Sequence, residues 1–243
     1  MLRLREAYGA AHVHVGAAGG IGSPEAAAAA FLLGAEFLVT GSINQCTPEA
    51  ATSGAVKDLL QGLAPHDVDP APAPDLFEWG VRANVVKRGV FLPAGAARLQ
   101  ELWRAHESPS ALDPAVREEV ESRILRCPVE EAAAGAAARL RALSPESAVG
   151  EHDPKHRLAL ALRSYLETGF ESAVRGEVER RVDHLVFCGS AMGACNSWLA
   201  GTDLAPWQRR HVADLTERLL AKAGELLARY TERLDRSRRA VHL

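Results

Sequence analysis

The apolar and polar positions change rhythm twice along this chain. His12-Val13-His14-Val15 reads as a short strand that ends in the glycine-rich turn Gly16 to Gly22. Ser23-Pro24-Glu25 then has the marks of a helix start: a hydroxyl cap, Pro at the first helical position and an acid in the first turn. Ala26 to Leu33 continues that helix and Gly34 closes it. Phe37-Leu38-Val39 is a second short apolar strand that runs into Gly41-Ser42. Strand, helix and strand over this distance make a βαβ unit, so the two strands are expected to be parallel and adjacent.

Beyond this point the pattern is read as helical and the strands are expected to stop. Thr47-Pro48-Glu49 should cap a helix reaching about Leu60. The Pro-rich stretch Pro65 to Pro74 reads as a linker. Arg98 to His106, Pro114 to Leu125 and Val129 to Leu143 carry apolar residues three and four apart. Ser144 to Asp153 is a polar break, and Pro154 to Glu167 reads as another helix. His184 to Phe187 is a brief extended piece before Cys188-Gly189. A long final helix is expected from Asp203 to Leu234, opened by Asp203 or Pro206. A lone parallel pair is unstable, because parallel sheets are covered by helices on both faces. The two strands should therefore complete a sheet whose other strands lie in another chain or an upstream segment.

Composition narrows the classes. Net charge is -3 over 243 residues, which makes no electrostatic case for nucleic acid as a partner. Aromatic residues are 5%, so the core must rest on Ala, Leu and Val, which bury less area per residue and leave room for a supporting partner surface. The charged start, Leu2-Arg3-Leu4-Arg5-Glu6, is unlike a signal peptide. The longest apolar run, Ala26 to Ala35, is too short to span a bilayer. Cys46, Cys127, Cys188 and Cys195 are scattered without zinc spacing, so a reduced, cytoplasmic, metal-free protein with no disulfide is expected.

The candidate chemistry lies between Val13 and Thr47. Gly19-Gly20 follows a strand and precedes a helix, which lets backbone N–H groups approach a phosphate while the helix N-terminus favours its charge. Gly41-Ser42 repeats the arrangement after the next strand and adds a hydroxyl. A single glycine pair would be read as a tight turn. Two such turns at the same end of adjacent strands favour a phosphate site, of the kind formed by the last two loops of (β/α)8 barrels.

Val15-Gly16-Ala17-Ala18-Gly19-Gly20-Ile21-Gly22 and Leu38-Val39-Thr40-Gly41-Ser42-Ile43-Asn44-Gln45-Cys46-Thr47 resemble the last two βα units of the PfaD-type trans-acting enoyl reductases, relatives of nitronate monooxygenases. Val86-Lys87-Arg88-Gly89-Val90-Phe91-Leu92-Pro93-Ala94, Pro154-Lys155-His156-Arg157, Cys188 to Trp198 and Trp207 to Val212 continue the resemblance in order, over roughly Val13 to Leu220. The resemblance implies an α/β plus α fold: the last two βα units of a flavin-binding (β/α)8 TIM barrel over 1–62, a linker over 63–75 and a helical extension domain over 76–243. It implies reduction of 2-enoyl thioesters on acyl carrier protein by FMN, with NAD(P)H as reductant. Ala18, Gly19, Gly20, Gly41 and Ser42 would hold the FMN phosphate. Asn44 and Gln45 would lie near the ribityl chain or cap the next helix. About six earlier βα units of the family are absent from this sequence, and any catalytic acid on them lies outside it. Ser190 stands where the family usually has Pro, and Cys195 where it usually has an aromatic residue.

Several other residue groups are candidates for chemistry. His12 and His14 share a strand face but have no acidic or Cys partner spaced for a metal. Lys155-His156-Arg157 could meet a phosphopantetheine or NADPH phosphate, or could be a solvated helix face. Cys188 and Cys195 are read as structural thiols. Arg209, Arg210 and His211 beside Trp207 could dock an acidic carrier protein or be solvated. Two other functions remain open: a non-catalytic helical interaction subunit of a synthase complex, and a nitronate monooxygenase-like oxidase.

Overall fold

The structure, a computed structural model, describes residues 1–143 and 153–241, excepting the side chains of 237–241. The polar break expected from Ser144 lies outside the described residues up to Asp153. In chain order the elements are α1 (Leu2–Ala7), β1 (Ala17–Ala18), α2 (Pro24–Leu32), β2 (Leu38–Val39), a 3-10 turn (Ser42–Cys46), α3 (Gly54–Leu60), β3 (Val68–Pro72), β4 (Arg82–Val86), α4 (Leu92–Ala105), α5 (Pro114–Glu119), a π-turn (Val120–Leu125), α6 (Val129–Leu143), α7 (Pro154–Arg175), a 3-10 turn (Val178–Asp183), α8 (Ala191–Leu199) and α9 (Val212–Val241). Two compact units result: Met1–Asp67 with Cys188–Leu243, and Val68–Phe187.

The first unit contains the expected βαβ element. β1 and β2 are parallel, with Ala17 opposite Leu38 and Ala18 opposite Val39. The first strand lies later than expected: His12 to His14 are turn and coil, and pairing begins where Glu36 N–H donates to Val15 O (2.8 Å). Ser23 caps α2 by accepting from Ala26 N–H, Pro24 opens it, and Gly34 ends it at φ +94. The buried face of α2, Ala27, Ala28 and Ala30, packs with Leu219 and Ala223 of α9. Small side chains on α2 let the two helices approach closely.

Two expected helix starts move. Thr47-Pro48-Glu49 does not open α3, which begins at Gly54 after Ser53; Thr47 instead donates to Asn44 O (2.8 Å) and is buried. The final helix begins at Val212 rather than Asp203 or Pro206, because Arg210 turns inward and holds the preceding loop with its guanidinium. The expected helical domain over 76–243 also differs from the observed division: 188–243 belong with the N-terminal residues.

The strands do not stop at Val39. The middle of the expected linker, Val68–Pro72, is β3, antiparallel to β4, with Pro70 opposite Asn84 and Pro72 opposite Arg82. Proline is tolerated there because of register. Ala73 N–H donates to Val81 O (2.9 Å), so odd-numbered residues of β3 aim their backbone groups at β4. Pro70 and Pro72 fall on positions that need no N–H for the ladder. The other side of β4 receives the extended piece 184–187: Val86 N–H donates to Val186 O (2.9 Å) and Val85 bridges Phe187. Around this ladder α4, α6 and α7 build one core containing Phe77, Leu92, Leu99, Leu158, Leu162 and Leu166. α7 runs from the cap Asp153, which accepts from Lys155 N–H, to Gly176 at φ +70.

Candidate functional site

The parallel register brings both glycine turns to one end of the strand pair. Gly19-Gly20 follows Ala18, and Thr40-Gly41 follows its partner Val39. Gly19 and Gly20 have φ of +82 and +73, a region costly for any residue with a Cβ. A Cβ added at Gly19, Gly20 or Gly41 would meet nothing within 4 Å. Packing therefore does not demand these glycines; conformation demands the first two, and all three leave the backbone open to an approaching group. Ala18, Gly19, Gly20 and Gly41 are exposed, and Ser42 is half-buried.

A third segment, which sequence reasoning left out of the site, ties the turns together. Gly189 N–H donates to Ser42 Oγ (2.9 Å), and a Cβ on Gly189 would stand 3.3 Å from that oxygen. Gly22 lies so close to the start of α8 that a Cβ would sit 2.0 Å from Ala191 O. The Cys188–Ala191 loop thus touches the second turn through Ser42 and the first through Gly22. The signal for it was present: an extended piece, Cys188-Gly189-Ser190 and then a helix repeat the strand–turn–helix form of the two turns. Burial pushes the Cys188 thiol up to about 12, offset in part by its hydrogen bond with Ser42.

The five expected residues do not line a single pocket. Gly19 and Gly20 line an open groove with α1 and α2, whereas Gly41 lines a shallow depression with Asn44, Glu49 and Val212. Asn44 does not cap α3: Thr40 Oγ1 donates to its Oδ1 (3.1 Å), and its Nδ2 donates to Thr40 O (3.1 Å). This staple fixes the shape of the second turn.

The remaining candidates have structural partners. His14 Nδ1 lies 2.8 Å from Glu36 Oε2, and no cluster able to hold a metal occurs among the described residues. Lys155 Nζ donates to Trp103 O (2.5 Å) and His106 O (2.7 Å), closing the end of α4. His156 Nδ1 stands 3.0 Å from Glu78 Oε2. Buried Arg210 donates to Leu204 O, Ala205 O and Asn196 Oδ1 at 2.9, 2.6 and 2.7 Å, and Asn196 Nδ2 donates to Leu60 O and Leu63 O. His211 pairs with Glu49, and Trp207 Nε1 donates to Asp58 (2.8 Å). Of that basic stretch, Arg210 is an internal clamp and not a docking residue. All four cysteines are free thiols; burial raises Cys46 to about 11 and Cys195 to about 11. No helix among the described residues is long and apolar enough to cross a membrane.

The chain is 46% identical over 217 residues to the polyketide biosynthesis protein ThaF of Burkholderia thailandensis, covering 89% of this chain and 19% of ThaF. It is 38% identical over 198 residues to one of the polyunsaturated fatty acid synthase proteins of a Thraustochytrium species, covering 80% of this chain and 10% of that protein. The crystal structure of the enoyl reductase domain of MlnA, from the macrolactin biosynthesis cluster of Bacillus amyloliquefaciens, superposes with a TM-score of 0.87 at 38% identity, covering 96% of this chain and 54% of that one. Along most of its length the chain is thus similar to a partial, C-terminal region of PfaD-like synthase proteins and of an enoyl reductase domain. It spans about half of the MlnA domain and a smaller share of these curated relatives. Residues 106–184 match the family model of the inserted helical domain of [acyl-carrier-protein] S-malonyltransferase. That match falls wholly inside the Val68–Phe187 unit.

Proposed function

We propose that this chain supplies the phosphate-binding end of an FMN-dependent enoyl reductase acting on 2-enoyl thioesters carried by acyl carrier protein in polyketide or polyunsaturated fatty acid synthesis. The observation that carries the reading is the pair of open turns at one end of β1 and β2, joined through Ser42 to Gly189. In this reading β1, α2 and β2 belong to the last two βα units of a (β/α)8 barrel. The remaining strands and the wall for the flavin ring come from an upstream segment or a second chain.

The residues fit such a group. Left-handed Gly19 and Gly20 present backbone N–H groups without a Cβ in the way. The N-terminus of α2, capped by Ser23, adds a favourable dipole for the phosphate. Ser42 Oγ accepts from Gly189, and its hydroxyl would turn from Cys188 to donate to the phosphate. When bound, FMN reduced by NAD(P)H supplies the hydride. This chain's residues hold the phosphate, fix the turns through Asn44 and Thr40, and leave protonation of the product to residues outside it.

The test is flavin retention in the assembled enzyme, with the rest of the barrel co-expressed. Gly20→Val should abolish flavin retention while the complex still forms, because a β-branched residue is strained at φ +73 and blocks the approach. Unchanged flavin stoichiometry in that variant overturns the assignment. A wild-type assembly without flavin would point to the non-catalytic interaction role instead.

A further inference from the structure

The Val68–Phe187 unit contains a polar cleft that the flavin reading does not use. The π-turn after α5 ends at Arg126, in the left-handed region at φ +60, and this bend turns the chain into Cys127 and α6. Between α6, α7 and the 178–183 turn it leaves a cleft of ≈ 230 Å³, lined by Cys127, Arg139, Tyr165, Thr168 and Arg180 among others. A single water occupies roughly 30 Å³, so the space suits a larger guest.

The charges around it are unevenly matched. Glu167 is shared by two cations: Arg139 Nη2 donates to Oε2 (3.1 Å) and Arg163 Nε to Oε1 (2.9 Å). Buried Asp183 accepts from Tyr165 Oη through Oδ1 (3.0 Å), and its Oδ2 lies 2.7 Å from Arg126 Nη2 without a hydrogen bond of its own. Of the charged side chains that line the cleft itself, two are guanidinium groups, Arg139 and Arg180, and one is a carboxylate, Glu131. The Nε–H groups of Arg139 and Arg180 are both buried, and none of the described residues accepts from either. Buried donors of this kind call for an acceptor, and a guanidinium fork matches a phosphate in shape and charge.

We propose that this cleft binds a phosphate ester through Arg139 and Arg180, with Tyr165 and Thr168 also lining it. The shared chemistry is a phosphate group; its two candidate sources, a carrier's phosphopantetheine arm or a phosphorylated nicotinamide nucleotide, rest on the enoyl reductase reading. Lys155 to Arg157 are the sequence's own candidates for the same phosphate, but Lys155 and His156 are committed elsewhere.

The test is a titration of the ¹⁵N-labelled full chain with inorganic phosphate, following the arginine Nε–H signals. Saturable shifts of Arg139 and Arg180 are expected. Arg180→Gln should weaken binding about tenfold, and Arg180→Lys should weaken it as well, since an ammonium lacks the fork. Arg157→Gln, at an exposed position outside the cleft, should bind as wild type. Should Arg180→Gln fail to fold, Thr168→Val and Arg180→Lys carry the test. Non-saturating shifts, or equal weakening by Arg157→Gln, would mean an adventitious ion only and overturn the proposal. The source is then separated by comparing pantetheine 4′-phosphate with pantetheine, and NADP⁺ with NAD⁺. A phosphate-dependent gain in one pair identifies the ligand; no gain in either overturns the ester assignment. None of these measurements needs flavin, so failure of the Gly20→Val test leaves them interpretable.

Discussion

In the Val68–Phe187 unit, Phe77, Leu92, Leu99, Leu158, Leu162, Leu166 and Leu185 share one large apolar cluster, beside a small one of Ala136, Ala137 and Leu160. The unit bearing the glycine turns divides its core in two: Ile21 with alanines of α2 and residues of α9, and Ile43 with Cys195, Leu199, Leu204 and Leu215. It compensates with buried polar clamps. Arg210 and Asn196 together donate to four backbone carbonyls, and Lys57 donates to Ala50 O (2.8 Å) and Pro48 O (3.4 Å). Both units leave some large apolar side chains uncovered, such as Leu33 (79% exposed) in this one and Leu143 (86%) in the other. The Val68–Phe187 unit rests on one large cluster, whereas the turn-bearing unit joins smaller clusters with buried hydrogen bonds around the candidate loops.

Substitutions should separate the two. The largest effect is expected from Leu162→Ala, which opens a cavity in the large cluster and should cost about 4 kcal/mol by denaturant unfolding. An equally small loss from truncating Leu162 and an exposed leucine such as Leu33 would break the comparison. Next is Arg210→Met, which keeps volume but leaves Leu204 O and Ala205 O without their donor; a loss of roughly 2 kcal/mol should appear in the same measurement. If this variant is as stable as wild type, the clamps are ornamental.

Thiol labelling sharpens the contrast further. Cys46, Cys188 and Cys195 lie in the turn-bearing unit and Cys127 in the other. Burial raises the first three to between about 11 and about 12, and burial with Glu131 and Glu121 nearby raises Cys127 as well. Under native conditions Cys127, half-buried, should react first, and the other three together only when their unit opens. Leu162→Ala should accelerate Cys127 far more than the trio; uniform acceleration of all four would show that the units open as one.

The smallest effect concerns acid. Hydrogen bonds from Arg5, then His14, lower the Glu36 carboxyl from 4.5 to about 2. A carboxylate lowered on folding contributes stability above its unfolded value and loses it as pH falls through the folded one. Glu36→Gln should therefore match wild type below about pH 2 and fall slightly short above about 4.5, the difference being small at so exposed a site. A wild-type advantage that grows on acidification would reverse the sign and reject the pairing.

The local signals that sequence reveals best were legible here. Ser23-Pro24-Glu25 and Gly34 bounded α2, and the brevity of the helical connection predicted a parallel pair. The end of the strands where the two turns meet followed from that pairing alone. What escaped depends on distant partners. The role of Arg210 is set by carbonyls near it and by Asn196, fourteen residues away, not by its own basic neighbours. The Cys188–Ala191 loop enters the site only through contacts with Ser42 and Gly22, far off in sequence. β3 was masked by its prolines, whose compatibility with a strand depends on a register that no single segment encodes.

That register has a further effect on the outward side of β3. At Pro70 and Pro72 the free edge offers no N–H to an incoming strand, and Pro70 O already accepts from Arg82 Nη2 (2.8 Å). A foreign chain seeking to extend the sheet would find few partners for its own backbone along those residues. The stretch that most looked like a flexible tether in sequence therefore acts as a seal: it ends the ladder and discourages edge-to-edge association with other chains.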